Sequence, residues 1–108
     1  MINMVNIHDE NIYGIFYIDK EETLEFFLSN KKKLRFKEVI HWDFSEFEKQ
    51  NIIYEIEQYK DIPIWIKDEF GIKKALPLDC FLYYINSSVG LSGIVIAKDA
   101  NFSDEVTF

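Results

Sequence analysis

Apolar and polar positions change period several times along the chain, and each change predicts an element. "IYGIFYI", residues 12–18, is apolar, β-branched and aromatic, the pattern of a strand buried on both faces or nearly so. In "DKEETLEFFLSN" the period lengthens. Leu24, Phe27 and Leu28 share one helical face while Glu21, Glu22 and Glu25 point elsewhere. Asp19 can cap the first turn, with Glu22 at the reciprocal capping-box position, so a helix is expected here. "KKKLRFKEVI" returns to period two, with Leu34, Phe36 and Ile40 alternating with Arg35, Lys37 and Val39 in a strand that carries one charged face. The lysines before it lie past the helix end, where the dipole favours cations.

In "HWDFSEFEKQ" an N-cap at Asp43 makes Glu46 the N3 carboxylate and pairs Trp42 with Phe47 as a hydrophobic staple. The expectation is a helix from about Phe44 toward Tyr59, with Ile52, Ile53 and Ile56 as its later apolar face. "IIYEIEQY" also alternates, Ile52, Tyr54 and Ile56 against Glu55 and Glu57, so a strand after Asn51 competes with that helix. "DIPIWIKD", residues 61–68, is β-like, with Pro63 suited to an edge or a strand start. "DEFG" then supplies a turn and "IKKAL" the second arm of a hairpin. Pro77 suits a first helical turn, and Leu78, Phe81, Leu82 and Ile85 keep helical spacing until "NSSVG". "GIVIA", residues 93–97, is an interior strand, and "NFSDEVTF" carries no signal. The order β-α-β-α-β-β-α-β predicts one α+β or α/β domain over residues 1–108, a mixed sheet of about five strands with about three helices packed on it.

Composition changes the picture in three ways. Eighteen aromatic residues among 108 supply more than a small core usually absorbs, so some are expected outside. Cys80 is the only cysteine, which excludes an intrachain disulfide and fits a reducing compartment. The N-terminus has no basic segment followed by an apolar run, and the longest apolar runs fall well short of the ~20 residues of a membrane span. A cytoplasmic protein without a membrane partner is the expectation. The formal charge is −7, yet residues 31–37 carry five bases and no acid, while residues 38–69 carry nine acids and three bases. An acidic field of this kind repels phosphate backbones and speeds encounter with basic proteins, so direct nucleic-acid binding is not expected.

Catalytic motifs are weak. A nucleophilic Cys80 would need His8 or His41 as its base, but its neighbours in "LDCFLYYI" are core-like. "HDE" at 8–10 and His41 with Asp43 hold metal-ligand types without the spacing that makes a metal site specific, and no cofactor is expected. Gly90 and Gly93 form neither GxGxxG nor a P-loop. What remains is a surface in which nine acids mix with Trp42, Phe44, Phe47, Tyr54, Tyr59 and Trp65.

"HWDFSEFEKQ" and "YEIEQYKDIPIWIKDEF", together with size and charge, give the chain a profile that resembles the small cytoplasmic immunity proteins of bacterial polymorphic and contact-dependent growth-inhibition toxin systems. That resemblance implies a non-enzymatic inhibitor, a monomer or weak dimer, which neutralises a basic toxin domain, typically a nuclease, by occluding its cationic groove. On this reading the partner-binding residues are Glu46, Glu48, Glu55, Glu57, Asp68 and Glu69, with Trp65 as the anchor. Two alternatives stay open: a phage-type inhibitor or nucleic-acid mimic directed at a host nuclease, and a small hydrolase using Cys80 or a histidine.

Overall fold

The computed structural model describes residues 7–29 and 31–103. The stretch that bears on a secretion signal, residues 1–6, and the tail 104–108 lie outside the described residues. Among these described residues there are eight strands: β1 (Ile12–Ile18), β2 (Thr23–Leu28), β3 (Lys33–Lys37), β4 (His41–Ser45), β5 (Ile52–Tyr59), β6 (Phe81–Val89), β7 (Ser92–Ala97) and β8 (Asp99–Ser103). Among them too, one α-helix, α1 (Ile64–Phe70), joins β5 to β6, and one 3-10 turn over Asp19–Glu21 follows β1. The strands form two antiparallel sheets, β1-β2-β3-β8 and β4-β7-β6-β5.

The sheets are two halves of a small barrel. Only Glu38–Ile40 separates β3 from β4, and only Lys98 separates β7 from β8. At these bends the Lys98 amide donates to the Lys37 carbonyl, and the Ile40 amide to the Ile96 carbonyl. On the far side Asn11 bridges Ile52, the Ile12 amide donates to the Asn51 carbonyl, and the Ile53 amide to the Glu10 carbonyl. Hydrogen bonding thus passes from each sheet into the other at both margins, which limits open edges. The main core lies between the sheets, built from Phe26, Phe36, Ile53, Tyr83, Ile85 and Val95 among others. A second cluster, Ile66, Cys80, Leu82, Ile94 and Ile96, lies under α1 on the outside of β6 and β7.

This architecture overturns the expected sheet with three helices. The stretch expected as a helix after Asp19 is the 3-10 turn plus β2, because Leu24, Phe26 and Leu28 all enter the core at period two. Glu25, assigned to a helix surface, instead lies across the sheet from Arg35. The expected helix from Phe44 is β4, a loop and β5, so Asp43 caps nothing; of the two readings of residues 52–59 the strand is the one observed. The β-like "DIPIWIKD" is α1. Its buried Ile66 and half-buried Phe70 are four apart, Pro63 supplies an extended entry, and Gly71 closes the helix at φ 65°. No strand forms over "IKKAL", and the expected helix after Pro77 is β6. β1, β3 and the strand in "GIVIA" form where they are expected, but β1 leaves Tyr13 and Phe16 exposed instead of being buried on both faces; residues 93–97 of β7 are buried because the core covers them inside and α1 outside.

Candidate functional site

β5 sets out the acidic residues in an order that the helix reading would have scattered. Glu55, Glu57 and Tyr59 alternate onto its outer face, while Ile53 and Ile56 enter the core. Register places Glu55 opposite Asn86 and Glu57 opposite Tyr84 on β6. α1 lies over the neighbouring part of this face, anchored by Ile66, and this brings Trp65 edge-on to Tyr84 with ring centroids 5.0 Å apart. Phe70 meets the same tyrosine at 6.4 Å. Trp65 keeps 47% of its surface exposed. Asp68 and Glu69 follow it by three and four residues, so they stand beside it on the helix surface.

The electrostatics of this face confirm the proximity of its carboxylates. Lost solvation raises the Glu55 pKa above its ordinary 4.5, and the hydrogen bond and charge of the adjoining Glu57 raise it further; Asn86 and His8 pull it partly back. Tyr59 donates to Glu57, and this bond, ahead of burial, pushes the phenol up to about 12. The Tyr84 pKa is raised by burial and then by the charges of Glu69 and Glu57. Like charges are therefore held close to one exposed tryptophan, and the charge of His8 only partly offsets their effect on Glu55.

Of the seven residues expected to bind a partner, Glu57, Trp65 and Glu69 come together around Tyr84, Glu55 adjoins Glu57 on β5, and Asp68 stands beside Trp65 on α1. Glu46 and Glu48 do not. They occupy the β4–β5 loop, where Glu46 has φ 59° and the Glu48 backbone is tied to the Asn51 side chain, beyond the start of β5. At ~3.3 Å per strand residue, Glu48 lies roughly 20 Å or more from Tyr59 along this edge. Tyr84 and Asn86 were missed because residues 81–85 carry a helical spacing of apolar residues; the alternation of Leu82, Tyr84 and Asn86 was the signal that could have found them.

The residues of the hydrolase alternative lie elsewhere. Cys80 is buried under α1, and burial followed by the Asp79 charge pushes its thiol pKa up, the opposite of an activated nucleophile. His8 is exposed and bonded to the Tyr54 carbonyl, and His41 is exposed on β4. Among the described residues no three His, Cys, Asp or Glu side chains are grouped to hold a metal, and no helix there is long and apolar enough to cross a membrane. No family model, no curated protein and no solved structure matches the chain.

Proposed function

We propose that the chain is a binding protein that neutralises a basic protein domain by docking it on the face formed by β5, β6 and α1. The observation that carries this reading is the convergence of Glu55, Glu57 and Glu69 on a half-exposed Trp65 seated against Tyr84. An exposed aromatic anchor within a rim of charge is the composition of an energetically concentrated protein interface. The mutual repulsion of Glu55 and Glu57 adds a driving force, since an incoming lysine or arginine relieves it. A basic toxin domain, with a nuclease as the expected class, fits this chemistry: carboxylates would occupy the cationic groove that otherwise holds phosphates. Glu46 and Glu48 belong at most to the rim of such a contact.

The test is parallel capture. The wild-type protein and the Glu55→Lys/Glu57→Lys double variant are immobilised, and lysate of the source organism is passed over both at low and moderate salt. The proposal expects a basic protein on the wild type, weakened by salt and lost from the variant. Equal retention on both would remove this face from consideration.

A further inference from the structure

Trp65 and Tyr84 form a corner, and the acceptors of the acidic face stand around it. The two rings meet at 90° with centroids 5.0 Å apart, so they do not stack on each other, and Trp65 keeps nearly half its surface open. Glu69 lies one turn beyond Trp65 on α1, and Glu57 lies opposite Tyr84 on β5. Tyr59 holds Glu57 by Oε2, which leaves Oε1 for a further donor. Among the described residues no group bonds the Tyr84 hydroxyl; burial and then the charges of Glu69 and Glu57 raise its pKa, so it stays protonated with its lone pairs free to accept. Lys67, the basic residue of α1, does not fill the corner. It follows Trp65 by two residues, about 200° round the helix, and lines a separate cleft with Lys60 and Leu76.

We propose that the basic partner is held here through one arginine side chain, its guanidinium lying against the Trp65 ring and dividing its donors among Glu57, Glu69 and the Tyr84 hydroxyl. This inference rests on the docking face proposed above and names what that face selects. Three acceptors from a strand pair and a helix are spread around an open indole ring. A planar guanidinium carries five donors in a fixed fork, stacks on aromatic rings and is weakly hydrated. An ammonium gathers three donors on one atom and gives up more hydration to lie against the indole, so lysine satisfies fewer of these groups at greater cost. Tyr84 is then the specificity-determining residue: its ring sets the tilt of Trp65, and its hydroxyl supplies a neutral acceptor beside the carboxylates.

Two small probes test this, N-acetyl-argininamide and N-acetyl-lysinamide, which each carry one cation and no other charge. They are titrated into the Trp42→Phe protein, in which fluorescence and the indole N–H resonance report Trp65 alone, since Trp42 is the other tryptophan and packs on Tyr17. The arginine probe saturates the Trp65 signal with a dissociation constant on the order of 10 mM, about threefold or more below that of the lysine probe. Tyr84→Phe keeps the ring, loses the acceptor and raises the arginine constant about threefold, and Glu69→Gln acts in the same direction. Equal affinity for the two probes, no response of Trp65 to either, or an arginine affinity that Tyr84→Phe leaves unchanged overturns the inference. The face itself is judged separately. A partner lost from Glu55→Lys/Glu57→Lys while the probes bind equally removes the arginine and keeps the face, whereas a partner retained by that variant removes the face and this inference with it.

Discussion

Asn51 shows how much of this fold can depend on one side chain. It is fully buried, and its amide is satisfied on both sides: Oδ1 accepts from the amides of Glu48 and Leu91, and Nδ2 donates to the carbonyls of Ile12 and Glu48. Three chain segments are tied at one point: the start of β1, the β4–β5 loop and the β6–β7 turn. Asn51→Ala leaves the Leu91 amide without its acceptor and should cost about 3 kcal/mol in denaturant unfolding, with an unchanged m-value. Sequence reasoning allowed a strand to start after Asn51 but did not reach the residue's role, because hydrogen bonds to Leu91 and Ile12 join residues about 40 positions apart. Tyr59 offers a second check. Its folded pKa is raised, so the stability it contributes is present below the ordinary value of 10 and is lost as pH climbs through about 12. Ultraviolet titration should show Tyr59 among the late-ionising tyrosines, with Tyr83 and Tyr84 also raised, and Glu57→Gln should bring Tyr59 back toward 10.

The strands of this chain were legible where their surroundings were simple. β1, β3 and β7 have unbroken or strictly alternating apolar residues. β2, β4 and β6 were hidden because Phe, Leu and Glu at mixed spacings satisfy both periods, and cross-sheet partners such as Arg35 for Glu25 decide between them. α1 was hidden for a converse reason: seven residues give too few turns to display a helical period. The elements make two opposed predictions. Ile66→Ala should destabilise the protein by about 3 kcal/mol, since Ile66 is buried against the outside of β6 and β7. Trp65→Ala, one residue away, should leave the unfolding midpoint nearly unchanged and weaken partner binding about tenfold or more. Gly93 marks a third constraint. A Cβ there would lie 2.1 Å from the Asp43 carbonyl oxygen, so Gly93→Ala should disrupt the pairing of β4 with β7 and lower the melting temperature sharply.

Across the molecule, charge is sorted by sheet. The β5–β6–α1 face gathers carboxylates that were visible in the sequence as an acidic, aromatic segment. Their convergence was not visible, because it depends on a strand and a helix whose identities the sequence reading exchanged. The raised Glu55 pKa gives binding a pH signature. A bound cation lowers that pKa, so complex formation releases a proton at acidic pH, and affinity should fall as pH drops toward the carboxylate range. Titration calorimetry of the captured partner in buffers of different ionisation enthalpy would detect that proton. The location of the contact is the central matter, and hydrogen exchange of the chain with and without its basic partner tests it most directly. Slowed exchange should concentrate in residues 54–59 and 64–70, with the outer face of β1 to β3 unchanged. Protection confined to residues 14–18 and 33–37 would instead place the partner on the β1-β2-β3-β8 sheet, and would contradict the account.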